Sequence, residues 1–256
     1  SYTGGDKNLT ITGCTATTNA HSLVQAKGID GILIEKCNVY SKNGLNFNNS
    51  TNVIVNECNA DVRGYAARFG ESSAATGAAE TYSIKNSTLK SACEEVLRGT
   101  ADNSTLTIEN TTLEGTRQII NNATGSRVIF DGKDYVCTAD GLTAALANKD
   151  VKNIVLMPGT YKGTFAIGNA GTTIDGSNNA AVVDCINLNG KDGVTLKNIQ
   201  FDAAGAQQSI DRHKGGTVRA MANIITGGAD NNPSVGARNL VIDGCTFNGA
   251  FPTTDK

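Results

Sequence analysis

The sequence predicts an all-β right-handed parallel β-helix, a solenoid of stacked coils, and three observations carry that prediction. A short phrase recurs along the chain: NLTITGCT at 8–15, GILIEKCN at 31–38, NVIVNECN at 52–59, TYSIKNST at 81–88, STLTIENT at 104–111, GVTLKNIQ at 193–200 and NLVIDGCT at 239–246. Self-similarity at intervals of roughly 20–30 residues marks units that bury their apolar faces only against neighbouring units. Within each phrase the apolar residues sit two apart, as in Ile32/Ile34, Val53/Val55 and Leu106/Ile108, which is the period of a strand with one face inward. Between the phrases lie Asn, Gly, Ser, Thr and Asp, residues that tolerate turns and positive φ.

Each coil therefore reads as short strands joined by corners, with main-chain hydrogen bonds running from coil to coil. Cys14, Cys37, Cys58 and Cys245 hold the same place in their phrases, and Ser87 and Thr111 take that place in two others. In register these residues form a ladder of small, weakly polar side chains filling an inward corner, with the thiols reduced. Glu35 and Glu57, beside those thiols, are expected on the solvated outer face. Asn8, Asn49, Asn86, Asn103, Asn110 and Asn122 begin Asn-x-Ser/Thr triplets that would accept glycans in a secreted eukaryotic protein. Corner formation and side-chain ladders account for them more simply.

The rhythm breaks in mid-chain. ADGLTAALANKD at 139–150 predicts a short amphipathic helix over about 139–148, with Leu142, Ala145 and Leu146 on one side and Asp140 placed to cap its start. VKNIVLMPGTYKGTFAIG follows as a buried strand, a Pro-Gly turn and a second strand, and then TTIDG, AVVDCINL and GVTLKNIQF resume the coils. This helix, strand and Pro-Gly-Thr-Tyr passage resembles the opening of modules in the pectate-lyase-like β-helix superfamily. The resemblance implies a helix covering the open N-terminal end of a core, which an apolar end otherwise exposed to water requires. Residues 1–132 accordingly read as the later coils of one β-helix module, and residues 133–256 as the cap and early coils of a second. NLTITGCT and NLVIDGCT lie 231 residues apart. That spacing suits either slightly more than one period of a longer tandem array or a subunit whose last coil stacks on the first coil of the next.

A formal charge of −2 without a Lys/Arg cluster lacks the electrostatic footprint of a nucleic-acid binder. No apolar run is long enough to span a bilayer, so no membrane insertion is expected. The absence of CxxC or Cys/His spacing argues against a bound metal, and no cofactor motif is present.

The resemblance implies polysaccharide cleavage as one possible activity, and that chemistry needs particular residues. The sequence has no Asp-Asp pair and no Gly-His-Gly, so the paired carboxylates of a galacturonan hydrolase are missing. Asp6, Asp30, Asp61, Asp175, Asp184, Asp202 and Asp243 stand singly, without a local calcium cluster. SIDRHKGGTVRA at 209–220 concentrates reactive side chains, and a polysaccharide lyase would take its base from Arg212, Lys214 or Arg219. Asp211 and His213 in the same segment are candidate ligand-binding residues, as are Arg63, Tyr65 and Arg68 beside YAARFG, with Tyr40 exposed nearby. A solvated charged loop accounts for the first cluster equally well, and core packing for Tyr65 and Phe69. His21 stands alone and suits a turn or surface position.

The expected function is that of a structural or adhesive module, resembling β-helical parts of phage tail fibres and tailspikes and of bacterial surface adhesins. Its expected partners are copies of itself or neighbouring modules of a longer chain, together with surface glycans or a host receptor. Its expected location is extracellular, on a bacterial cell surface or a virion. The alternative is a lyase or depolymerase acting on uronate-containing glycans.

Overall fold

The structure is a computed structural model describing residues 7–17, 22–70, 81–92, 95–99, 103–115, 117–119, 125–202, 206–212, 216–226 and 236–248, with backbone alone for 117–119, 206–212 and 216–222. The chain divides into two compact units, Ser1–Tyr135 and Val136–Lys256. Each is a β-solenoid built of parallel, stacked coils.

In the first unit a coil contributes a strand to each of three sheets. The first sheet runs Lys7–Thr12, Asp30–Glu35, Thr51–Asn56, Thr81–Lys85, Thr105–Glu109 and Arg127–Phe130, all in parallel. Its register pairs like with like along the recurring phrase: Leu9↔Ile32↔Val53↔Tyr82↔Leu106↔Val128. The second sheet stacks Ala16, Val39, Ala60, Leu89 and Leu113. The third stacks Leu45, Ala67, Leu97 and Ile119. Alternate side chains from all three sheets meet in a narrow core, where Phe47 stacks on Phe69 at 5.6 Å and Phe69 meets Tyr82 at 4.7 Å between ring centroids. The period of two read from sequence is thus the period of burial, and burying such a side chain contributes roughly 1.5–3 kcal/mol.

The corners explain the polar half of the phrase. The residue before each ladder position lies in the left-handed region: Gly13, Lys36, Glu57, Asn86, Asn110 and Gly244 have φ between 46° and 64°. Asn8, Asn49 and Asn103 are left-handed as well, so five of the asparagines named above from Asn-x-Ser/Thr triplets adopt this conformation, and Asn122 lies outside the described residues. Asparagine is the side chain most tolerant of that conformation after glycine. An amide ladder crosses the coils beside them: Asn86 donates to Asn56 at 3.0 Å and Asn110 donates to Asn86 at 2.8 Å. Glu35 and Glu57 both accept from the Asn56 amide, at 3.1 and 3.2 Å.

Two antiparallel features depart from the stacked-turn expectation. Arg127–Phe130 turns back on Lys133–Val136 through Asp131 and Gly132, both left-handed, as a two-residue hairpin turn requires. A bidentate pair between Arg127 and the buried Asp134, at 2.9 and 3.2 Å, holds this hairpin. In the second unit Ala206–Arg212 and Gly216–Ala222 form an antiparallel ribbon between coils.

The second unit opens on α1 (Ala139–Ala147). Thr138, not Asp140, is its N-cap, its hydroxyl accepting from the Gly141 N–H at 3.1 Å; Asp140 lies in the first turn, where a carboxylate suits the helix dipole. The cap falls two residues earlier because Thr138 is still extended (φ −135°, ψ 158°) while Ala139 is already helical. Leu142 and Leu146 are buried in one cluster with Leu156, Tyr161, Ile174 and Phe201, so the helix covers the first coil of this unit's core. The coils follow as Asn153–Leu156, Thr173–Asp175, Thr195–Lys197 and Val241–Asp243 in one sheet. Gly159–Ala166, Ala181–Asn187, Gln200–Phe201 and Thr246–Phe247 form the other.

Candidate functional site

The thiol positions form one geometric series. Cys37 faces the carbonyl two residues back, Glu35 O at 3.2 Å, and that of the preceding coil, Ile11 O at 3.7 Å. Cys58 faces Asn56 O at 3.3 Å and Ile34 O at 3.5 Å, and Cys245 faces Asp243 O at 3.7 Å and Leu196 O at 3.5 Å. Ser87 and Thr111 donate to Lys85 O and Glu109 O at 2.6 and 2.9 Å, and each hydroxyl accepts a backbone N–H from the preceding coil, Cys58 N and Ser87 N. Ser50 repeats the pattern at another corner, donating to Asn48 O and accepting from Ile29 N. A short side chain with one proton and lone pairs is what the corner needs, which is why Cys, Ser and Thr interchange there. The six described cysteines are all free thiols.

Burial pushes the Cys58 thiol up from an ordinary 9.0 to about 11. Its folded value is raised, so the stability contributed by the neutral thiol is complete below pH 9 and lost as pH climbs through 11. Cys58→Ser, which keeps the hydrogen bonding seen at Ser87, is expected to change stability at pH 7 by less than about 1 kcal/mol. It should also flatten the alkaline decline in urea-unfolding free energy. A loss of several kcal/mol at neutral pH would show that sulfur packing, not the corner hydrogen bonds, governs this position.

Of the proposed ligand-binding residues in the first unit, Arg63 and Tyr40 are exposed and Arg68 is half-buried. Tyr65, a ligand-binding candidate for which core packing was the equal alternative, is 3% exposed, its ring lying 5.7 Å from the Arg98 guanidinium carbon and its hydroxyl buried without a partner among the described residues. The reason is local: YAARFG enters the third sheet, so Ala67 and Phe69 turn into the core and Tyr65 packs at the corner beneath Arg98 of the next coil. Arg68 and Arg98 are register partners on adjacent strands, and Glu95 lies 3.9 Å from Arg98.

The reactive segment of the second unit falls on the antiparallel ribbon. Asp211 pairs with Thr217, Ser209 with Arg219, and Arg212 with Gly216. By strand alternation Asp211 and Arg219 belong to one face of the ribbon and Arg212 to the other, so a site drawing on both cations cannot form on a single face. His213 and Lys214 lie outside the described residues, as does His21.

A feature missed from sequence is a shallow depression of about 350 Å³ on the outer face of the first unit's first sheet, lined by Asn52, Ile54, Thr81, Ser83, Lys85 and Thr107 among others. It arises where the column Leu33↔Ile54↔Ser83↔Thr107↔Ile129 dips at its smallest member, and the Ser83 hydroxyl at its floor has no partner among the described residues. Lys85 is paired with Glu109 at 2.9 Å. Only the register of outward residues from separate coils could have revealed the depression.

Among the described residues no group of three His, Cys, Asp or Glu side chains is arranged to hold a metal ion, and no helix is long and apolar enough to cross a membrane. No family model, curated protein or solved structure matches this chain.

Proposed function

We propose that the chain is a structural and adhesive β-solenoid module of a fibre or surface protein, related to the pectate-lyase-like β-helices and nearest in role to those of phage tail fibres and bacterial adhesins. The observation that carries this reading is the like-with-like register of the recurring phrase, Leu9↔Ile32↔Val53↔Tyr82↔Leu106, which makes each coil a template for another. Such a ladder extends by adding rungs and keeps its hydrogen bonds along the direction of growth, which suits mechanical reach. Glycans or a host receptor are its contacts, and outward columns such as Ile54, Ser83 and Thr107 offer the hydroxyl and aliphatic groups that a sugar ring meets. The setting in which it acts is extracellular, on a cell surface or a virion.

Incubation with a panel of uronate-containing polysaccharides, followed by ultraviolet absorbance of unsaturated products, tests this against the lyase alternative. No product together with binding on a glycan array is the expected result. Product formation lost in Arg219→Ala would overturn the structural reading.

A further inference from the structure

The register of the first unit brings together two thiols that the sequence holds 21 residues apart. Cys37 and Cys58 are bracketed by the pairs Glu35↔Asn56 and Asn38↔Asn59, and Asn59 N donates to Cys37 O at 2.9 Å. They are partners in adjacent coils, both buried in the same corner and both free thiols.

Their sulfurs hold equivalent places. Cys37 Sγ lies 3.2 Å from Glu35 O and 3.7 Å from Ile11 O, and Cys58 Sγ lies 3.3 Å from Asn56 O and 3.5 Å from Ile34 O. Atoms related in this way are separated by one coil-to-coil step, about 4.8 Å between hydrogen-bonded strands. A disulfide draws its sulfurs to about 2.05 Å and its Cβ atoms to about 3.8 Å, so an undistorted ladder keeps these thiols from joining directly. The same separation suits a different bridge. Two metal–thiolate bonds of about 2.3 Å laid end to end span about 4.6 Å. Side chains that enter the core crosswise to the stacking direction leave the midpoint between the sulfurs as the place for such an ion.

We propose that Cys37 and Cys58 form a linear, two-coordinate site for copper(I). Thiolates are the soft ligands that select this ion, whereas structural zinc takes four ligands. Among the described residues no group of three His, Cys, Asp or Glu side chains is arranged to hold a metal, so the pair offers two ligands and no more. On loading, the ion displaces one proton from each thiol, both protons leave to solvent, and no electron moves. The product is a dithiolate complex with one negative charge. The carbonyls beside it lose only weak S–H donors. Burial raises the Cys58 pKa to about 11, while the Cys37 backbone N–H, hydrogen-bonded to the Cys58 sulfur, favours the thiolate. Cys58 N makes the same bond to the Ser87 hydroxyl at 3.1 Å. The site does not depend on the adhesive reading above.

Copper(I), supplied anaerobically as its acetonitrile complex, tests the proposal. It is given to the folded chain and, separately, during refolding from urea, and each product then competes with bathocuproine disulfonate. Wild type and Cys14→Ser are expected to retain copper, with copper K-edge absorption showing two sulfur neighbours in a linear arrangement. Cys37→Ser and Cys58→Ser should bind at least about a hundredfold more weakly, the upper range for losing even a supporting partner. Both keep a hydroxyl for the corner bonds seen at Ser87, and a wild-type circular dichroism spectrum checks their fold. Copper lost from wild type by both routes, copper retained in Cys58→Ser, or three or more sulfurs around the ion would each overturn the site. Zinc held as tightly as copper would overturn it as well.

Discussion

Gly44→Ala is expected to unfold the first unit, because a Cβ built on Gly44 lies 1.9 Å from the Ala66 carbonyl oxygen and 2.7 Å from its carbon. Neither partner can retreat. Gly44 N donates to Tyr65 O at 2.9 Å, Gly44 O accepts from Leu23 N at 3.0 Å, and Leu45 N donates to the same Ala66 oxygen at 2.8 Å. The clash therefore opens the ladder between coils, at a cost above about 3 kcal/mol, beyond ordinary overpacking. Gly13→Ala is the control: its Cβ meets nothing within 4 Å but its φ is 64°, so only the left-handed strain applies, about 1–2 kcal/mol. Urea unfolding followed by far-ultraviolet circular dichroism separates the two. Equal midpoints for the variants would show that coil spacing at Gly44 is adjustable.

The second large effect is expected at the helix that covers the second unit's core. Leu142 and Leu146 are 0% and 2% exposed, and Leu142→Ala removes most of an aliphatic side chain from a site that cannot collapse. The surroundings are fixed: a Cβ on Gly168 would stand 2.3 Å from Leu146 O, and the Asn169 amide donates to Asn148 O and Val151 O at 2.9 and 3.1 Å. Tyr161 adds to this rigidity, its hydroxyl donating to Val136 O at 2.6 Å and Met157 O at 2.9 Å, while burial raises its pKa above the ordinary phenol value. A loss of about 3 kcal/mol is expected for Leu142→Ala, within the usual range for deleting a buried leucine. The measurement is the urea midpoint of the second unit's transition. A loss below about 1 kcal/mol would mean that α1 is dispensable to this core.

Those two sites show where sequence reasoning reached. The strand rhythm was legible because alternation is a one-dimensional signal, and Leu142 and Leu146 were legible because helical spacing is another. The corner pattern was half legible: Cys, Ser and Thr at one phrase position announced a ladder, but their shared bond to the carbonyl two residues back needed coordinates. Tyr65 stayed undecided between surface and core because a corner residue has no period, and its burial depends on Arg98 in a different coil. Nothing in SIDRHKGGTVRA announced an antiparallel ribbon that puts Asp211 and Arg219 on one face and Arg212 on the other.

By itself the sequence determined the parallel solenoid, its inward residues and the mid-chain helix, since all three follow from periodicities that neighbouring residues express together. Only the tertiary structure decided which outward residues become neighbours. Coils of unequal length separate register partners by 21 residues at Ile32↔Val53 and 29 at Val53↔Tyr82. The columns that meet on the surface are therefore set by hydrogen-bond pairing between coils and not by any fixed interval along the chain.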